Sequence, residues 1–344
     1  MYPAILNPHK FLVTTLLLWL GTNYNCAAQN TNAALKPVDE NYPHIEWVSN
    51  WPSGETDQKK KKFKDQFNSI LFGINPPELS NPVSVLSYST DDFWVLDQGN
   101  KTIFQILKGV GEIPHSIQKT DFDFSSLVGI CSGPNSSILF TDSHAEKIYT
   151  LSSEKKKLRV LNDTLTLDQP TGIAYLAAKK EIWVVETKAH CIAVLNEKGE
   201  LIKRIGRRGN APGEFNYPTH IWIDPKGNAY ITDAMNFRLQ VLDQEGEVIS
   251  VFGEAGDASG YLARPKGIAT DSFGNIYSVD ALFHVVQVFD AKGNYLYKFG
   301  SQGHGNSEFW MPAGIFIDAS DMIYVADTYN SRIQVFKLIY TDSK

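Results

Sequence analysis

An all-β chain folded as a six-bladed propeller is the fold class this sequence predicts, and three observations predict it. The first is a repeat. Pro170, Pro218, Pro265 and Pro312 recur at intervals of 48, 47 and 47 residues, and Leu127 and Pro82 extend the series backwards by 43 and 45. The second is the phrase inside each unit: a first strand of the kind Pro265-Lys-Gly-Ile268, a second ending in an acid (Ile276-Tyr-Ser-Val-Asp280), and a third such as Val286-Gln-Val-Phe289. A unit of this length built from short strands is one propeller blade. The third is hairpin chemistry. Fourth strands at Leu201–Ile205, Val248–Phe252 and Tyr295–Phe299 alternate in polarity, and glycine turns such as Glu197-Lys-Gly199 and Ala291-Lys-Gly293 precede them.

Composition sets outer limits. The 344 residues are enough to bury a large core without disulfides or metals, and 43% hydrophobic with 20% charged residues is ordinary for a globular chain. A net charge of −6 argues against nucleic acid as a partner. Cys26, Cys131 and Cys191 form no CxxC pair and no zinc pattern.

Read in order, Lys10 precedes the apolar run Phe11–Leu20, which is half a membrane span, and Cys26-Ala27-Ala28 offers small residues for cleavage after Ala28. Residues 1–28 are therefore expected to be a signal peptide, and the protein to be exported to a periplasmic or extracellular location. An anchor through a lipid on Cys26 is disfavoured by Asn23-Tyr24-Asn25, which are not small. Residues 29–43 read as a linker and 44–80 as a strand followed by a basic amphipathic helix. The strand is His44–Trp51, where Ile45 and Trp47 alternate with polar residues and Val48 breaks the pattern. The helix joins Lys59–Lys62 and Lys64 to an apolar stripe at Phe63, Phe67, Ile70 and Leu71. Packing on the domain is the favoured use of that stripe, and a peripheral membrane contact through Lys59–Leu71 is the alternative. The blades occupy 81–340 and leave a tail at 341–344. The sixth copy runs out before a fourth strand, so His44–Trp51 is expected to complete it and close the ring.

At this point the chain resembles the NHL-repeat family of six-bladed propellers. The resemblance is carried by Asp327-Thr-Tyr-Asn-Ser-Arg-Ile-Gln-Val-Phe336, by Asp233-Ala-Met-Asn-Phe-Arg-Leu-Gln-Val-Leu242, and by the loops Gly206–Phe215 and Gly300–Phe309. The first two copies diverge, with Leu127 in place of the proline and Ala145 in place of the loop asparagine. Trp51-Pro52, the lysine-rich segment and the first blade also resemble a subgroup of exported bacterial propellers. A resemblance of this kind specifies fold more than function.

Six acids end the second strands: Asp97, Asp142, Glu186, Asp233, Asp280 and Asp327. Their repetition in every unit points to turn structure, with each carboxylate accepting backbone N–H groups, rather than to a metal site. Arg238 and Arg332 are expected to brace the backbone or a neighbouring blade. Asp224, Asp271 and Asp318 read as turns between first and second strands. Peptide-amidating lyases of the NHL group hold zinc through histidines in proline-led segments. The residues after the proline position here are Val83, Val128, Thr171, Thr219, Lys266 and Ala313, so no metal and no cofactor is expected. His220, one place further, stands alone and is read as a channel-lining or a packed histidine.

In blades four to six the turns after the acid carry Met235, Leu282, Phe283 and Tyr329, and the long loops of the same face carry Arg207, Arg208 and His304. Apolar side chains gathered in turns suggest a contact surface. The reading that follows is a monomeric binding scaffold for a protein or peptide, using the loop face of blades four to six. The alternative is an enzyme, a lyase or lactone hydrolase, with its site at the mouth of the central channel.

Overall fold

The structure, a computed structural model, describes residues 43–52, 78–90, 92–107, 115–116, 122–152 and 157–340. The expected leader, the linker before Pro43, the Lys59–Leu71 helix and the tail lie outside the described residues.

The strands form six four-stranded antiparallel sheets. Blades one to five each take four consecutive strands, as blade four does with Pro218–Ile223, Ala229–Asp233, Arg238–Leu242 and Val248–Phe252. Blade six is built from Ile315–Ile317, Met322–Asp327 and Arg332–Ile339, and His44–Trp51 supplies its outer strand. That strand runs antiparallel to Arg332–Ile339, from His44 opposite Ile339 to Trp51 opposite Ile333. The register slips between Trp47 and Ser49, so Val48, where the polarity pattern breaks, is the extra residue of a bulge. Closing the ring with a strand from the other end of the chain hides an edge that would otherwise template association.

The core is not one cluster but six, one at each blade junction. The junction of blades four and five, for example, holds Tyr230, Leu239 and Val241 against Ile268, Ile276 and Phe289. Both faces of the middle strands are buried, which is why Ile138–Asp142, Ala229–Asp233 and Ile276–Asp280 are buried throughout. The closing strand reaches two junctions. Trp51 packs on the cluster between blades six and one, edge-on to Phe93, and Ile45 packs on the cluster between blades five and six.

Around the channel each blade is tied to the next by at least one hydrogen bond to an inner strand or its approach. Hydroxyls of Thr141, Thr187, Thr232 and Thr328 donate to the carbonyls of Thr171, Pro218, Lys266 and Pro82, Gln98 donates to Leu127, and the Gly267 N–H donates to Ala313. The inner strands come close because glycine stands at the contact. A Cβ on Gly172 would lie 2.7 Å from the Ile221 nitrogen, and one on Gly314 2.5 Å from the Val83 oxygen. No side chain larger than hydrogen fits there without moving the neighbouring blade.

Candidate functional site

Strand alternation sends the turns after second strands and the long loops after fourth strands to one face. The six acids anchor that face from beneath. Asp97, Asp142, Asp233, Asp280 and Asp327 are fully buried and Glu186 nearly so. Each accepts N–H groups from the loop entering its own blade: Asp97 from Ser80 and Asn81, Asp142 from Ser125 and Ser126, Glu186 from Asp168, Asp233 from Asn216, Asp280 from Ala263 and Arg264, Asp327 from Trp310. The sequence showed the turn. The bond back across 16 to 18 residues to the incoming loop is a tertiary feature.

Blades four and six add a cation. Arg238 Nε meets Asp233 at 2.7 Å and its guanidinium donates to the carbonyls of Asn210, Ala211 and Glu214. Arg332 does the same with Asp327, His304, Gly305 and Glu308. Gln240 and Gln334 bond the same acids and the same Glu214 and Glu308 carbonyls, while Asn236 and Asn330 hold Gly209 and Gly303. Both arginines therefore brace the acid and the loop of their own blade. In blade three Glu186 takes Arg204 instead, at 2.6 Å, from the outer strand.

On this frame the expected contact residues are placed as follows. Met235, Leu282 and Tyr329 are exposed, at 54%, 54% and 56%. Phe283 is half-buried, so it is less of a surface anchor than the turn position suggested. Arg207 and Arg208 are exposed, and Arg207 pairs with Glu214 at 2.8 Å. His304 is exposed, bonds Asn330 through Nδ1 at 2.6 Å, and sets its ring edge-on to Trp310. Trp310 in turn meets Tyr329 at 6.0 Å between ring centres. Exposed Tyr217, Tyr261 and Trp310 were not singled out from sequence, although each lies one to four residues before a blade-opening proline. Among the described residues, the exposed large apolar side chains of the loop face all lie on blades four to six.

His220 lines a cavity of about 210 Å³ at the centre of the ring, together with inner-strand residues of all six blades, among them Ser84, Gly129, Gly172, Gly267 and Gly314. Its Nδ1 is 3.0 Å from the Thr219 hydroxyl. Burial first, and the Lys266 charge second, push the imidazole down to about 3, so it is neutral at pH 7. Among the described residues no three His, Cys, Asp or Glu side chains are gathered as a metal site would require.

The model of one propeller family matches residues 160–252 and 261–342, half of the chain. The chain belongs to the 6-bladed beta-propeller family. No curated protein matches this 6-bladed beta-propeller. Solved structures similar in fold include an auxiliary nutrient binding protein from Bacteroides thetaiotaomicron, at 14% identity over 76% of this chain and 70% of that one, with a TM-score of 0.61. A virginiamycin B lyase from Staphylococcus aureus is 15% identical over 76% of this propeller and 98% of its own chain, with a TM-score of 0.56. Kuenenia stuttgartiensis hydrazine synthase is 11% identical over 78% and 97%, with a TM-score of 0.52. Proteins so differently named on one architecture mean that the likeness speaks for the fold alone.

Proposed function

We propose that this chain is an exported propeller of the NHL type that binds a protein or peptide partner through the loop face of blades four to six. One observation carries the reading: among the described residues, Tyr217, Met235, Tyr261, Leu282, Trp310 and Tyr329 are the exposed large apolar side chains of the loop face, and all stand on three adjacent blades. The equivalent turns of blades one to three expose Gly99, His144 and Lys188. Aromatic side chains left in water on a rigid frame are the usual anchors of an interface. The similar fold of a Bacteroides auxiliary nutrient binding protein is in keeping with a binding role. Export rests on the leader read at 1–28, and intact mass of the secreted chain should place the mature end at Gln29.

The partner test is capture from the native envelope fraction by immobilised protein. Trp310→Ala and Tyr329→Ala should each weaken capture by about 2 kcal/mol or more, while Lys226→Ala, in a turn of the opposite face, should leave it unchanged. Equal capture by all three variants would move the binding face elsewhere.

A further inference from the structure

Blade five departs from its neighbours at the positions where they are most alike. Where blades four and six have the bracing pairs Asn236 with Arg238 and Asn330 with Arg332, blade five has Phe283 and Val285. Asp280 consequently holds backbone N–H groups only, those of Ala263, Arg264, Leu282 and Phe283. Gln287 still reaches the incoming loop, at Tyr261 and Gly260, without touching the acid.

Blade five places two cations elsewhere, one on each side of the blade-opening proline: Arg264 and Lys266. The matching positions are Tyr217 and Thr219 in blade four and Met311 and Ala313 in blade six. Among the described residues, neither the Arg264 nor the Lys266 side chain has a hydrogen-bond or ion-pair partner. Lys266 is half-buried, and its carbonyl is fixed by Thr232 at 2.7 Å. It precedes Gly267, which lines the central cavity, and its charge acts on His220 from the adjacent inner strand. Desolvation first and the Arg264 charge second push the Lys266 ammonium below its usual range. Arg264 and Lys266 thus flank the start of the inner strand whose Gly267 lines the cavity with His220, and among the described residues no carboxylate pairs with either side chain. A half-buried charge without a counter-charge costs stability unless something else supplies one.

We propose that the loop-face mouth of the channel, between blades four and five, is an oxyanion site that takes the carboxylate or phosphate group of a small organic ligand. Lys266 is the principal counter-charge and Arg264 the second. With the Thr219 hydroxyl donating to Nδ1, His220 presents Nε2–H as a neutral donor. Tyr217 and Tyr261, exposed on the two loops that lead into these strands, offer apolar surface for the ligand's body. The cavity admits a head group of a few heavy atoms, and the rest of the ligand lies outside it.

The test is titration calorimetry on the intact chain with three probes: succinate, inorganic phosphate and an end-blocked triglutamate peptide. Saturable 1:1 binding of succinate or phosphate, weakened by added salt, is expected. Lys266→Gln should weaken that binding about tenfold or more, Arg264→Gln less, and Lys226→Gln not at all. Binding of the peptide alone would overturn the small-ligand assignment in favour of an acidic chain segment. No binding of any probe, or equal binding by wild type and Lys266→Gln, would overturn the site. Should Lys266→Gln fail to fold, Lys266→Arg must retain binding and Arg264→Gln must weaken it, or the proposal falls. None of these measurements uses the protein partner, so failure here leaves the proposed capture role standing, and failure of capture leaves this site standing.

Discussion

Blades four and six, set beside blade five, separate what this fold requires from what it leaves open. In the first two, a buried acid, an arginine, a glutamine and an asparagine close one network over the incoming loop. The bonds that its side chains make go to the scaffold. In blade five the same acid is kept, but the arginine and asparagine are gone, and Arg264 and Lys266 stand unpaired on either side of the blade-opening proline. The acid alone is enough to form the turn. Scaffold chemistry is what recurs around the ring, and chemistry available to a ligand is found where the recurrence lapses.

The largest effect expected is on the ring itself. Removing residues up to Pro52 unpairs Arg332–Ile339 along its outer edge and unpacks Trp51 and Ile45, side chains whose burial contributes about 1.5–3 kcal/mol each. Thermal unfolding should drop sharply, and an unchanged midpoint would mean that closure is made some other way.

Next comes the comparison of acids. Asp327→Ala leaves the mostly buried Arg332 without its counter-charge and Gln334 short of one bond, and should cost about 3–5 kcal/mol in urea unfolding. Asp280→Ala releases only backbone N–H groups and should cost about 1–3 kcal/mol. Equal losses would show that the arginine brace adds nothing.

A third test uses pH. The His220 imidazole is pushed down to about 3 from its ordinary 6.5 by burial and by Lys266. As pH falls, the unfolded chain takes up this proton first. The stability linked to neutral His220 is therefore whole above 6.5 and is lost progressively toward about 3. His220→Gln should flatten the fall in stability over that window, and an unchanged slope would place the imidazole in water.

The smallest effect is a graft. Phe283→Asn with Val285→Arg rebuilds the brace in blade five. Net stability should change by less than about 1 kcal/mol, because the buried contacts of Val285 are lost as the new bonds form. Hydrogen exchange in residues 253–264 should nonetheless slow, and exchange that does not change would deny the brace any part in ordering these loops.

Local chemistry determined much of this protein. The repeat spacing, strand polarity and turn residues are short-range properties, so blade number, strand order within a blade and the need for His44–Trp51 to complete blade six were all legible. The break of polarity at Val48 was legible too, and the paired strand shows it to be a bulge, because one extra residue breaks a period of two. Tertiary structure alone decided the rest, since it depends on which blades meet. The acids' bonds to incoming loops, the threonine ties between blades and the placement of Lys266 beside His220 join residues 16 to 246 positions apart or on neighbouring blades. The half-burial of Phe283 against the exposure of Leu282 beside it is of the same kind: both occupy one turn, and only the packed neighbours determine which side chain water reaches.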